Sequence, residues 1–380
     1  MSESPHRSFR LLPSEQVLWY GRPRLGTPRD GFWIVVPTLC FAFAAVVALF
    51  AGLIFVAGIP AIRSSALLAV YLFATGLAFA LAPRALLDRC EYLVTDRHVI
   101  WKRGQLRRVI ERRAITYARI HWHRTEPGVG HLELVRATPF GPFSRRQRVL
   151  LHDVVAPDRL FALIRDTEPT DFAGYGDVQL IDRLDKGERV VWGGAPQGFR
   201  LGRSDLLTAA TGTLVLLVGV LYAYRTGGLL VRLEDVGLPV RSGTWLMLFS
   251  ALLISGSIML TVGAALVWNG IWGARADGSR TEYILTDSRV LIRRGRTELS
   301  VDRRRIVDVA DQPSTGDLSN LYLILDGPRA RALADNGALG MLSPPRGTVP
   351  PVLYEVRDRE LFRRLLFPGS TPPKRVRDAA

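Results

Sequence analysis

Four long apolar blocks interrupt an otherwise charged chain. Phe32–Gly58, Ser64–Ala82, Leu206–Tyr224 and Thr244–Gly273 contain no Asp, Glu, Lys, Arg or His. A bilayer core takes about 20 apolar residues in a helix. Helices that pack in an aqueous core normally keep a polar face, and these blocks show none. The pattern predicts four transmembrane helices in two hairpins, 32–82 and 206–273. Arginine gathers on one side of them: Arg22, Arg24 and Arg29 before the first block, Arg84 and Arg89 after the second, Arg200 and Arg203 before the third, Arg275 and Arg280 after the fourth. Under the positive-inside rule both termini and both of the segments that follow the hairpins (84–167 and 275–367) are expected in the cytoplasm. The first block follows a polar, basic leader without a convincing cleavage site, so it reads as a retained span. No charged side chain lies within the blocks, which argues against a relay or ion path through them.

After each hairpin the pattern changes to short runs rich in Val, Ile, Leu and Tyr, separated by turn residues. CEYLVT, HVIWKR, LRRVIERR, ITYARIHWHR, HLELVRA and RVLLHDVV read as strands, and PDRLFALIRD as a closing helix. Such spacing predicts a small antiparallel β sandwich or barrel. The second half keeps the same order, from EYILT to the helix RDRELFRRLLF. The two halves are copies. EYLVTDRHVIWKRG (Glu91–Gly104) and EYILTDSRVLIRRG (Glu282–Gly295) share seven of fourteen positions at a constant offset of 191. The lead-ins repeat too: SEQVLWYGRP (Ser14–Pro23) matches GERVVWGGAP (Gly187–Pro196) at Glu, Val, Trp, Gly and Pro.

The order E-x-V-x-W-x-G-x-P, apolar hairpin, E-Y-x-[LV]-T-D-x-x-V, basic-Gly and a later Ile resembles the bacterial PH-like (pleckstrin-homology-type) domain family in its membrane-flanked form. The resemblance covers nearly the whole chain, twice. It implies two packed antiparallel sheets with a C-terminal helix in each copy, self-assembly or envelope-associated roles, and no catalytic residues. The expected organisation is a lead-in (1–31), hairpin one (32–82), PH-like domain one (84–167), a linker with the second lead-in (168–205), hairpin two (206–273), PH-like domain two (275–367) and a disordered tail (368–380). The expected location is the bacterial inner membrane. Trp19 and Trp192, just ahead of the hairpins, suit its interface.

Composition adds a basic balance, with 50 Lys+Arg against 35 Asp+Glu and a formal charge of +15. Nearly all of the excess is arginine, which pairs well with carboxylates and phosphates. Arg103, Arg107, Arg108, Arg112 and Arg113 in the first copy echo Arg293, Arg294, Arg296 and Arg304 in the second. These are the candidate contacts to anionic lipid headgroups, weighed equally against ordinary cytoplasmic charge. No helix-turn-helix, RNA-binding or zinc pattern accompanies them, so nucleic acid is a poorer partner. The repeated motif residues Glu91, Tyr92, Thr95, Asp96 and Gly104, with Glu282, Tyr283, Thr286, Asp287 and Gly295, read as structural. The Thr-Asp pairs are expected to form turns in which the Asp carboxylate takes backbone amides two residues on.

Two cysteines, Cys40 and Cys90, imply no disulfide framework. His121 and His123 lie on one strand face, where alternation would let them share a metal. A clear third ligand is missing from the sequence, so no metal or cofactor is assigned. Phosphate loops, nucleophile elbows and H-E-x-x-H are also missing, and no enzyme activity is expected. The expected role is a membrane-anchored binding and assembly protein. It would present its two domains to partner proteins, to its own copies or to anionic lipid. A small membrane transporter, or an accessory subunit of one, is the alternative.

Overall fold

A computed structural model of the chain describes residues 9, 11–24, 36–38, 40–45, 47–48, 62–123, 126–136, 147–176, 178–197, 203–235, 256–273, 280–314, 317–325 and 351–368. It divides into two compact units. One gathers Met1–Arg24, Arg89–Arg200 and Ala276–Ala380, and the other Leu25–Asp88 and Leu201–Arg275.

The first unit holds both β copies. In copy one, β1 (Val17–Gly21), β2 (Cys90–Thr95), β3 (His98–Arg103) and β4 (Leu106–Glu111) form an antiparallel sheet in that order. A 3-10 turn, Arg112–Ala114, leads to β5 (Tyr117–Trp122), β6 (Val129–Arg136) and β7 (Gln147–Val155), then helix α1 of this unit (Pro157–Arg165). Copy two repeats the order: β8 (Val190–Gly194), β9 (Thr281–Thr286), β10 (Arg289–Arg294), β11 (Thr297–Asp302), the 3-10 turn Arg303–Arg305, β12 (Asp308–Pro313), β13 (Ser319–Ile324), β14 (Val352–Val356) and helix α2 (Arg359–Leu366). Each lead-in thus supplies the first strand of a four-stranded sheet that faces a three-stranded one.

The copies are not separate bodies. Strand β11 pairs antiparallel with β5, from Thr297 opposite His121 to Val301 opposite Tyr117. That pairing fuses one sheet from each copy into a seven-stranded sheet, β7-β6-β5-β11-β10-β9-β8. Alternation explains the burial. Tyr283, Leu285, Val290, Ile292, Leu299 and Val301 point to one side of their strands and bury together against Phe362 of the closing helix. Phe362 is fully buried, and the Trp192 ring meets it edge-on at 5.2 Å. The first copy closes the same way, with Leu160, Phe161 and Ile164 of its helix buried.

The linker between copies is not slack. The Asp158 carboxylate accepts from the Gly174 amide at 2.9 Å and from the Arg183 guanidinium at 2.8 Å, and Arg159 Nε donates to the Ala173 carbonyl at 3.1 Å. Ala173 and Leu180 are buried.

The second unit contains helix α3 (Ile62–Leu87), helix α4 (Arg203–Asp235) and helical residues 256–268 running into a π turn at Asn269–Gly273. Large apolar side chains stand exposed on it, among them Leu67, Tyr71, Leu207 and Leu217. Among the described residues no helix is long and apolar enough to cross a membrane. This corrects the expectation of four transmembrane helices, and with it the membrane designation and the inner-membrane location with cytoplasmic domains. The helices do not coincide with the apolar blocks. Arg63, Pro83 and Arg84 fall inside α3, while α4 takes in Arg203, Asp205, Arg225, Arg232, Glu234 and Asp235. Much of the first block, the start of the fourth and the tail beyond residue 368 lie outside the described residues.

Candidate functional site

The repeated motif turns out to be a lock between each lead-in and its first hairpin. In copy two, Thr286 Oγ1 accepts from the Ser288 and Arg289 amides at 3.3 and 2.9 Å. The same hydroxyl lies 2.6 Å from Glu188 Oε1 and 2.9 Å from the Arg289 carbonyl. Asp287 Oδ1 accepts from the Arg189 amide at 3.3 Å, while the Asp287 amide donates to the Arg189 carbonyl at 3.1 Å. Copy one has the same arrangement: Thr95 to Glu15 at 2.5 Å, and Asp96 to the Gln16 amide at 3.0 Å. The Glu of E-x-V-x-W and the Thr-Asp some eighty to a hundred residues later are therefore two halves of one joint. The expected turn, with the Asp carboxylate taking amides two residues on, is corrected: the Thr hydroxyl takes those local amides, and the Asp carboxylate reaches back to the lead-in.

The two locks differ in the basic side chain that meets the Glu. Arg289 grips Glu188 with Nη2 on Oε2 at 2.8 Å and Nε on Oε1 at 2.9 Å, and both side chains are almost fully buried. Burial works to raise the Glu188 pKa, but the hydrogen bonds and charge of Arg289, with Ser288 and Thr286, outweigh it and bring it to about 2. In copy one the cation's place is taken by His98, 2.8 Å from Glu15. There too burial opposes, and hydrogen bonds from Thr95, the Leu12 amide and His98 hold the Glu15 carboxyl below its usual range.

The other motif residues are also structural. Tyr92 OH sits on the last strand of copy one, accepting from the His152 amide at 3.0 Å; Tyr283 OH accepts from the Tyr354 amide at 3.0 Å. Burial pushes both phenols well above their ordinary pKa. Gly104 and Gly295 open the two-residue hairpin turns with φ of +57° and +61°, a region that favours glycine. Glu91 takes Arg22 Nη2 at 2.6 Å and Tyr20 OH at 3.1 Å. Glu282 is exposed on β9. Trp19 and Trp192 belong to β1 and β8, and each indole lies over the glycine two residues on: a Cβ on Gly21 would meet Trp19 at 2.3 Å, and one on Gly194 would meet Trp192 at 2.7 Å. They pack within the β unit, which corrects their assignment to a membrane interface.

The candidate anion-binding arginines separate by environment. Arg112 is spent internally, its Nη2 donating to the Leu163 carbonyl at 2.8 Å and its Nε to Ile164 at 3.0 Å. It caps the C-terminus of α1, where orphan carbonyls and the helix dipole welcome a cation. Arg303 does the same for α2 through Leu366 and Leu365. Arg293 donates to the Val178 carbonyl of the linker. Arg103, Arg294 and Arg296 are half-buried. Arg107 and Arg108 stand exposed on β4, with Arg108 over the Trp101 ring at 5.7 Å. Arg113 and Arg304 line a cleft of about 1020 Å³ where the copies meet, beside Arg305, whose Nη2 donates to the Arg113 carbonyl. Asp185, Glu188, Asp287 and Asp302 line the same cleft, so its charge is mixed.

The joint itself carries buried charge the sequence did not announce. The Arg183 guanidinium lies 4.4 Å from the Trp122 ring centroid, between Asp158 at 2.8 Å and Glu298 at 3.3 Å. Burial raises the Glu298 pKa against the pull of Arg183. The only signal of this cluster in sequence was position: Glu298 falls on β11, whose counterpart in copy one reads Arg107.

Among the described residues one group of side chains could hold a metal ion: His123, His131 and Asp153 bring ligand atoms within 4.8 Å of one another. No family model, curated protein or solved structure matches the chain.

Proposed function

We propose that the chain is a non-catalytic assembly protein built from two PH-like β units, which associates with its own copies head to tail through sheet edges. One observation carries this reading. Inside the chain, copy one offers β5 and copy two offers β11, and the two unlike edges pair. The equivalents left over, β4 in copy one and β12 in copy two, each end their sheet. A heterologous contact of this kind uses different surfaces on its two sides, so it can repeat from chain to chain into a ring or filament. Strand edges are natural templates for such addition.

Carrying the β11–β5 register over to β4 and β12 sets Leu106 opposite Gln312, Arg107 opposite Asp311, Arg108 opposite Ala310 and Val109 opposite Val309. Arg107 and Asp311 carry opposite charge, and Asp311, which already takes Arg359 Nη1 at 2.7 Å within its own chain, would share its carboxylate with Arg107 at the junction. Directly opposed unlike charges on neighbouring strands stabilise a pair by roughly 0.2–1 kcal/mol, and like charges oppose it.

The test uses the full-length chain in a mild non-ionic detergent, which keeps the exposed apolar residues of the helical unit from associating nonspecifically. Sedimentation velocity should show species heavier than the 42.2 kDa chain that grow with concentration. An Arg107→Glu variant and an Asp311→Arg variant should each associate roughly tenfold more weakly. Mixed together they should co-assemble, because every junction between the two variants again sets unlike charges opposite one another. A parent that stays a single chain at every concentration, or a mixture no better associated than its parts, overturns the reading.

A further inference from the structure

The structure points to a divalent transition-metal site, best suited to zinc, formed by His123, His131 and Asp153 of the first copy. We propose this site on four observations, none of which the assembly reading uses.

The first is convergence. Four histidines from three adjacent strands come together at one end of the first copy. Ring centroids of His123 and His131 lie 4.6 Å apart, those of His131 and His152 5.1 Å, and those of His121 and His131 6.2 Å. His123 Nε2 is 2.8 Å and His131 Nδ1 is 3.6 Å from Asp153 Oδ1. Donors bound to one tetrahedral zinc at about 2.0–2.1 Å stand roughly 3.3 Å from each other. The two distances bracket that value.

The second is an orphaned atom. His123 Nε2 is buried and makes no hydrogen bond of acceptable geometry, although a carboxylate oxygen is 2.8 Å away. Two atoms so placed share a third partner more readily than they satisfy each other.

The third is how the carboxylate is presented. Asp153 sits at φ +50°, in the left-handed region that ordinary side chains avoid. A register shift between Gly130 and Leu132 and the Tyr92 hydroxyl on the His152 amide hold the strand in this shape.

The fourth is an internal comparison. The second copy makes the same bulge at Glu355, φ +53°, with Tyr283 in the role of Tyr92. There Ser314 Oγ donates to Glu355 Oε1 at 2.6 Å, where copy one has His123. Asn320 Oδ1 accepts from the Glu355 amide at 3.1 Å, where copy one has His131 accepting from the Asp153 amide at 3.1 Å. The bulge is thus built with Ser and Asn, although Glu355 Oε2 is left without a hydrogen bond. Histidines at both positions supply what the bulge does not need and a metal does. Two imidazoles and one carboxylate suit zinc or its neighbours, with a fourth position left for water. Coordination through His131 Nδ1 exchanges the Asp153 amide hydrogen bond for the metal.

The transplant of the second copy's own residues is the test. Full-length protein in mild detergent, stripped with chelator, is titrated with Co²⁺ and then Zn²⁺. The parent should take up one Co²⁺ per chain with the intense visible absorption of a tetrahedral site, and Zn²⁺ should bleach it. The His123→Ser/His131→Asn double variant should lose the band and bind at least about 100-fold more weakly. Its metal-free melting temperature should stay close to that of the parent. Asp153→Asn, which keeps a residue type tolerant of positive φ, should weaken binding as well. A parent without stoichiometric uptake, or a double variant that binds equally well, overturns the proposal.

Discussion

Replacing Glu188 by Gln should destabilise the chain far more than the same change at Glu15, although both residues occupy the same place in their copies. Gln keeps the shape and can still accept from Thr286, but it removes the negative charge from the Arg289 guanidinium, to which Glu188 approaches at 2.8 Å. Breaking a buried ion pair by deleting one partner costs about 3–5 kcal/mol, because the other charge stays buried. Asp185, 3.4 Å from Arg289 Nη2, and the Arg183 carbonyl at 2.9 Å soften this to about 2–4 kcal/mol. Glu15 faces His98 and Thr95 instead, and its replacement should cost about 1 kcal/mol, the scale of a hydrogen bond. Hydrogen exchange of the two turns, 95–98 and 286–289, reads each lock separately.

Acid adds an independent check on the same residue. A carboxyl whose pKa falls from 4.5 to about 2 on folding stabilises the folded state above pH 4.5. At 1.36 kcal/mol per unit that is about 3 kcal/mol, lost as pH drops through the window from 4.5 to 2. Parent and Glu188→Gln should therefore differ most near neutrality and converge as pH approaches 2. Equal effects at Glu188 and Glu15, or a difference that does not change with pH, would refute the account.

Arg303→Ala should loosen the last turn of α2 by about 2 kcal/mol, seen as faster exchange there, and Lys should not rescue it because one ammonium cannot reproduce the fork on the two carbonyls. Gly194→Ala should displace the Trp192 indole, whose ring a new Cβ would meet at 2.7 Å, costing about 1–3 kcal/mol and changing tryptophan fluorescence.

Much of the β unit was legible because its pattern is local. Short runs of consecutive apolar residues bounded by turn signals mark β2, β3, β9 and β10, and the repeat shows which residues share a role. The purpose of those residues was not legible. Thr95 meets Glu15 across eighty positions and Arg112 meets Leu163 across about fifty, and no spacing rule reaches that far. The sequence treated Arg107, Arg108 and Arg112 as one basic cluster, whereas strand direction and the following turn send the first two outward and the third under the closing helix. His121 and His123 suggested a metal only weakly, since the missing ligands His131 and Asp153 arrive from two other strands. Apolar blocks were read by composition alone, whereas α3 and α4 run past their blocks at both ends into charged residues.

Divergence between the copies falls where the assembly reading requires it. In β11, which is covered by β5, Thr297, Glu298 and Leu299 are all buried. At the same places in β4 stand Leu106, Arg107 and Arg108, all exposed. Two β4 edges brought together would oppose arginine to arginine, and two β12 edges would bring together Asp308 and Asp311, each already paired with an arginine of α2. Unlike edges set the Arg107 and Asp311 charges opposite one another. Specificity of this kind comes as much from the pairings it forbids as from the one it favours. A symmetric dimer through either edge is therefore the arrangement the charges disfavour, and head-to-tail addition is the one they leave open.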